Sequence, residues 1–363
     1  MTSINRKAST RQISPSHPLK NVTDLSPASF GVVMATGIVS LAAHLLAMPV
    51  IADILFRLNI IIYGVLWLLT MVRLVCYPRC FFSDLFDHSS GPGFFTMVAG
   101  SGILGSQFVV LSGNIPMGLA MWFVTIGLWF GTTYTIFTAV TIKREKPLLG
   151  RGLNGGWLLA VVAAESVAVL SALLAKHVGQ SYELELNFLA FLMWLWGSML
   201  YIWIISLIFY RYTFLLFSPK DFSPSYWINM GAMAISTLGG SLLISNATTN
   251  APFLYSLLPF IKGFTLFYWA TSTWWIPLLL ILSVWRYACM GLSLNYDPLH
   301  WGIVFPLGMY AASSHEMAAV MALEFLRFLP PLFLYAALLV WAAVLVSWIV
   351  TLLCRAGICA SKY

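Results

Sequence analysis

The sequence predicts an all-α polytopic membrane protein with ten transmembrane helices, and three observations carry that prediction. Charged residues make up 9% of the chain against 60% hydrophobic, with a mean hydropathy of +0.87. Soluble domains carry about a quarter charged residues, so lipid must cover most of this surface. The apolar residues recur in segments of roughly 20 or more, the length a helix needs to cross a ~30 Å hydrocarbon core. Few residues are left between these segments. Lipid-exposed irregular backbone cannot make its hydrogen bonds, which restricts spanning structures to helices or closed barrels. Barrel strands would alternate over about ten residues, and these runs do not.

Residues 1–27 hold Arg6, Lys7, Arg11 and Lys20 among Ser, Thr, Asn and Pro with no apolar core, and read as a disordered cytoplasmic tail rather than a signal peptide. The first span is expected over 28–48 and the second, with Trp67 and Leu68, over 53–76. The third, 93–112, contains Gly100, Ser101, Gly102, Gly105 and Ser106; the fourth, 116–141, contains Trp122 and Trp129. The fifth, 155–175, is apolar around Glu165, and the sixth, 187–211, carries Phe191, Trp194 and Trp196. The seventh, 226–245, is again small, with Gly231, Ala232, Ala234, Ser236, Gly239 and Gly240. The eighth, 256–285, is long enough to tilt, to kink at Pro277 or to begin as an interfacial helix, and its Trp269, Trp274 and Trp275 are expected to face lipid or a subunit. The ninth covers 301–323 and the tenth 331–354, so the membrane domain is 28–354 and residues 355–363 form a short cytoplasmic tail. Small residues in the odd spans allow close approach or leave space beside a narrow channel, and bulky even spans suit a lipid-facing layer. Ordinary close packing without a conduit is the alternative.

Lys and Arg in short loops concentrate on the cytoplasmic side. With the N-terminus inside, fifteen fall there: the four tail charges, Arg73, Arg79, Lys143, Arg144, Lys146, Arg151, Arg211, Lys220, Arg286, Arg355 and Lys362. Four fall outside: Arg57, Lys176, Lys262 and Arg327. Both termini are therefore expected inside, which requires an even number of spans. Cys76, Cys80, Cys289, Cys354 and Cys359 all lie on that reducing side. No second matched pair or histidine cluster accompanies Cys76 and Cys80, so a zinc site is not expected.

The net charge of +7 follows from this topology and gives no folded basic surface for nucleic acid. An embedded enzyme would need polar or metal-binding groups at one depth, and the chain has no HExxH or CxxC; Asp84, Asp87 and His88 make a weak cytoplasmic cluster. No nucleotide-binding fingerprint is present, and no cofactor is expected. A membrane sensor or structural component is disfavoured by the short loops.

Three stretches carry a resemblance. Ser26-Pro-Ala-Ser-Phe-Gly-Val-Val-Met-Ala-Thr-Gly-Ile-Val-Ser40, Gly91-Pro-Gly-Phe-Phe-Thr-Met-Val-Ala-Gly-Ser-Gly-Ile-Leu-Gly-Ser-Gln107 and Trp301-Gly-Ile-Val-Phe-Pro-Leu-Gly308 look like the tellurite-resistance/dicarboxylate transporter (TehA-like, slow anion channel) family. The likeness spans nearly the whole membrane region. It implies five helical hairpins with quasi-fivefold symmetry, odd helices around a central pore and even helices outside, assembled as a homotrimer in the bacterial inner membrane. It implies small anions as substrates: chloride, nitrate, sulfite, C4-dicarboxylates or tellurite-related species. It also implies a phenylalanine gate on the ninth helix, which falls on Phe305 beside Pro306.

Several polar residues bear on transport. Pro306 bends an interior helix, and the Phe305 ring beside a bend would form a dewetted constriction. Glu165 lies mid-span, where it must face protein, be protonated or meet a donor. Glu316 lies eleven residues past Phe305 on about the same helix face, some 16 Å toward the outer mouth, with His315 turned about 100° away and His44 near the outer end of the first span. Ionised, pore-facing acids would repel an anion, so either they face neighbouring helices or their protonation accompanies transport. Thr36, Ser101, Thr237 and Ser241 are candidate pore-lining donors, or else bonds between helices. Lys262 is expected to snorkel to the interface.

Overall fold

A computed structural model describes residues 20–247, 252–291 and 296–355. Ten long helices dominate it: α1 Gly31–Leu45, α2 Pro49–Cys76, α3 Phe95–Val110, α4 Ile115–Ile142, α5 Leu159–Ala175, α6 Gln180–Phe214, α7 Ile228–Ala247, α8 Leu258–Met290, α9 Trp301–Val320 and α10 Leu329–Arg355. Among the described residues nine helices are long and apolar enough to cross a bilayer. The exception is α9, whose 20 residues include Ser313, Ser314, His315 and Glu316 near one end. The chain is thus an all-α integral membrane protein of about nine long apolar helices, with the ninth expected span present as a more polar helix.

The even helices exceed their expected spans and the odd ones do not. α6 has 35 residues and α8 has 33, the latter a single helix with Pro277 inside it. At 1.5 Å per residue α8 is about 50 Å long, so it outreaches the hydrocarbon core. Of the expected N-terminal tail, residues 1–19 lie outside the described residues; Lys20–Thr23 is one helical turn, and Pro27–Phe30 already packs into the bundle. Residues 356–363, including Cys359 and Lys362, also lie outside them.

Packing sorts the helices by parity. α1 touches α3, α3 touches α5, α5 touches α7, α7 touches α9, and α9 returns to α1. Each even helix packs on the odd helix before it. Among the described residues, every exposed large apolar side chain sits on an even helix or a connection, for example Leu68, Phe123, Phe130, Trp203, Phe267 and Leu339. Such an apolar exterior is stable only in lipid. Within the ring, glycines let helices close up: a methyl group on Gly102 would come within 2.9 Å of Ser166 Cβ.

Parity also has exceptions in the outer layer. Trp194 of α6 is fully buried and turns inward, donating from Nε1 to the Ser236 carbonyl of α7 at 2.8 Å. Trp275 is buried and donates to Tyr201 Oη at 2.9 Å, whereas its neighbour Trp274 is exposed. The lipid-facing expectation for Trp275 is thus corrected, because its N–H has a partner on α6.

Candidate functional site

Each odd helix begins with a tight 3-10 turn: Pro27–Phe30, Gly91–Phe94, Gly155–Leu158, Pro224–Trp227 and Pro298–His300. The residue before each is a capping type, Ser26, Ser90, Asn154, Ser223 and Asp297, and the next is Pro or Gly. Ser26, Asn154 and Asp297 accept backbone N–H groups from Ala28, Gly156 and Leu299. The five turns touch one another in ring order and close the circle. They open on one cavity of about 490 Å3, to which each turn contributes lining residues. Five helix N-termini, each carrying about half a positive charge, therefore surround one vestibule. Arg151 and Arg211 line it, as do Asp221 and Asp297, so side-chain charge is balanced and the helix ends supply the positive field.

Arg211 is the residue that sequence reasoning passed over as a topology marker. Its side chain is only 7% exposed. It donates to the Leu153 carbonyl and, at 2.6 Å, to Tyr226 Oη, and lies 3.6 Å from Asp221. It thereby ties the start of α5 to the start of α7. Arg286 does the same for the Pro219 and Phe222 carbonyls before α7, and Lys143 reaches the Phe86 carbonyl before α3 at 3.3 Å. Hydrogen bonds from Ser218 hold the Asp221 carboxyl below the usual carboxylate range. In the Asp84–Asp87–His88 cluster, Asp84 pairs with buried Arg73, and Asp87 accepts the Ser89 and Ser90 N–H groups. Among the described residues no three metal-ligating side chains converge.

Deeper along the ring, Phe305 has no exposed surface. A methyl group on Gly231 of α7 would lie 2.8 Å from Pro306 Cγ and 3.2 Å from Phe305 Cε1, so the bare glycine backbone is the seat of that ring. No water-sized space adjoins Phe305 in this conformation.

The candidate pore hydroxyls are all buried, and two of them point at outer helices. Thr36 Oγ1 accepts from Trp341 Nε1 at 3.0 Å, and Ser101 Oγ pairs with Tyr63 Oη at 2.8 Å. Thr237 and Ser241 donate back to the Met233 and Thr237 carbonyls of their own helix at 2.8 Å. Glu165, also fully buried, meets Ser236 of α7 and packs on Gly197 of α6, a site at the α5–α6–α7 seam. Glu316 and His315 are half-buried near the C-terminal end of α9, and His44 is exposed. Lys176, the residue that follows α5, donates to Ser245 Oγ at 3.0 Å; burial pushes its ammonium down, an effect that the Glu316 carboxylate only partly offsets. Lys262 is exposed, as a snorkelling side chain would be.

Comparison with known proteins agrees with this geometry. The family described as voltage-dependent anion channel matches residues 24–349, from the first turn through most of α10. This chain belongs to that family. An uncharacterised transporter of Methanocaldococcus jannaschii is 26% identical over 311 residues, 83% of this chain and 86% of that protein. A second from the same organism is 25% identical over 301 residues, 81% of this chain and 84% of its own length. An uncharacterised membrane protein of Mycobacterium tuberculosis is 30% identical over 148 residues, 41% of this chain and 74% of that protein. Membership classes the chain as a membrane channel or transporter for small anions rather than as a catalytic domain.

Proposed function

We propose that this family member conducts small anions along the axis of its five-helix ring, from the cytoplasmic vestibule past a constriction at Phe305. The observation that carries the reading is the vestibule itself, where five helix N-termini meet around one cavity. Fixed dipoles and backbone N–H groups attract an anion, and the buried Arg211 in the wall is already engaged by Leu153, Tyr226 and Asp221, which suits a conduit that must also release. From there the anion meets Phe305, whose ring fills the space against Gly231 and must change rotamer for passage. α9 is then the tenth crossing, its polar end protected inside the ring, and consecutive helices pair as five hairpins. Both termini lie inside an inner membrane, and three copies assemble with one pathway each.

The substrates in this reading are drawn from chloride, nitrate, sulfite, C4-dicarboxylate and tellurite-class anions. The test is anion flux in proteoliposomes for the native chain and Phe305→Ala, with chloride, nitrate, sulfite and malate, with and without an imposed proton gradient. A gated channel gives higher flux in the alanine variant, insensitive to the gradient. Flux that follows the gradient and ignores the truncation would instead make the chain a proton-coupled exporter using Glu165 and Glu316.

A further inference from the structure

Ser236 Oγ lies 2.8 Å from Glu165 Oε1 and 3.0 Å from the Ala232 carbonyl one turn back on α7. A hydroxyl has one proton to donate and cannot serve both acceptors. A protonated Glu165 removes the conflict: its O–H donates to Ser236 Oγ, and Ser236 donates to the Ala232 carbonyl. An ionised Glu165 takes the Ser236 proton for its own hydrogen bond, and the Ala232 carbonyl loses that donor. The rest of the site disfavours charge. Glu165 is fully buried, Oε2 has no partner, and the surfaces facing it are Gly197 and Trp194 of α6 and Gly239 of α7. α8 brings Tyr268, a titratable neighbour whose hydroxyl donates to Ser198 Oγ at 2.5 Å. On the α3 and α4 side, Gly102 packs on the adjacent Ser166, with Thr125 beside Gly102. No described cation is an electrostatic partner of the carboxyl.

Ala232 is the residue after Gly231, on which the Phe305 ring rests. We propose that Glu165 is a proton-binding site, off the anion path, that positions the α7 seat of Phe305. With the proton bound, Ser236 holds the Ala232 carbonyl and α7 stays closed on the ring. When the proton leaves to water, the carboxylate draws the Ser236 hydroxyl to itself, that turn of α7 loosens, and the seat opens. Glu165 is therefore a positioning residue that acts through Ser236. The inference rests on Phe305 being the constriction.

The experiment compares the native full-length chain with E165Q, S236A, F305A and the double variant E165Q/F305A in proteoliposomes, measuring chloride and nitrate flux at equal pH on both sides. Native flux should rise with pH by up to about tenfold per unit, the limit for one proton. E165Q should be low and flat, S236A should lose most of the pH dependence, and F305A should be high and flat. Restored flux in the double variant shows that a silent E165Q is folded. Infrared spectra add a readout independent of transport: a protonated-carboxyl C=O band present in the native chain, absent in E165Q and shifted in S236A. A flat native profile, native pH dependence retained in E165Q, or no such band in the native chain would overturn the proposal. If F305A leaves flux unchanged while E165Q flattens the profile, Phe305 fails as the constriction and the proton site stands.

Discussion

At Gly231 the missing side chain brings α7 into van der Waals contact with Phe305 and Pro306, the contact on which the proposed constriction depends. Gly231→Ala places a methyl group 2.8 Å from Pro306 Cγ. The helix must give way, at a cost of roughly 1–3 kcal/mol typical of overpacking. The expected outcome is a lower unfolding temperature together with higher anion flux, because the ring loses its seat; a lower unfolding temperature with unchanged flux would separate packing from gating. Arg211 makes a different residue-scale argument. Arg211→Met leaves the Leu153 carbonyl and the Tyr226 hydroxyl without their donor, which should cost about 1.5–3 kcal/mol in thermal unfolding. Lys should recover little of it, since an ammonium lacks the planar fork that spans these acceptors.

At the scale of elements, the 3-10 turns determine where the odd helices start, and the cations ending the even helices clip the segments in front of those starts. The loop before α7 is one such segment. Ser218 N and Oγ both donate to the Asp221 carboxylate, at 2.9 and 2.6 Å, and lower its pKa. A group whose folded pKa is depressed contributes stability above its unfolded pKa and loses it as pH falls through the folded value. Protection of the backbone amides over residues 218–222, measured as the exchange rate relative to the intrinsic rate at each pH, should therefore fall on acidification below the ordinary Asp range and not on alkalinisation. Asp221→Asn should show fast exchange at every pH; an acid response that survives the substitution would assign the effect to another group.

At the scale of the whole molecule, a closed ring of buried helices sits inside a layer whose apolar side chains face outward. The expected orientation makes a direct prediction from thiol labelling. Cys76, Cys80, Cys289 and Cys354 are exposed at one end of the even helices, and an impermeant maleimide added outside intact cells should miss them. Lys262→Cys, in a chain with those cysteines replaced, should label from outside; the opposite pattern would invert the topology. Much of this level was legible in the sequence. Alternation of small and bulky spans anticipated the two layers, and the resemblance led to Phe305. The repeat of a capping residue followed by Pro or Gly at Ser26, Ser90, Asn154, Ser223 and Asp297 was also present, but each copy is too short to stand out until the fold brings the five together.

The sequence by itself determined that this is a helical membrane protein, roughly where each helix runs and which layer it joins, because hydropathy and side-chain size act locally along the chain. Only the tertiary structure decided what the polar residues do. Thr36 and Ser101 meet outer-layer Trp341 and Tyr63, Glu165 meets Ser236, and Arg211 reaches Leu153 and Tyr226. Those partners lie between 15 and 305 residues away in sequence. In an interior with no water to satisfy a polar group, the nearest donor or acceptor in space decides its role, and one-dimensional spacing carries no information about which that will be.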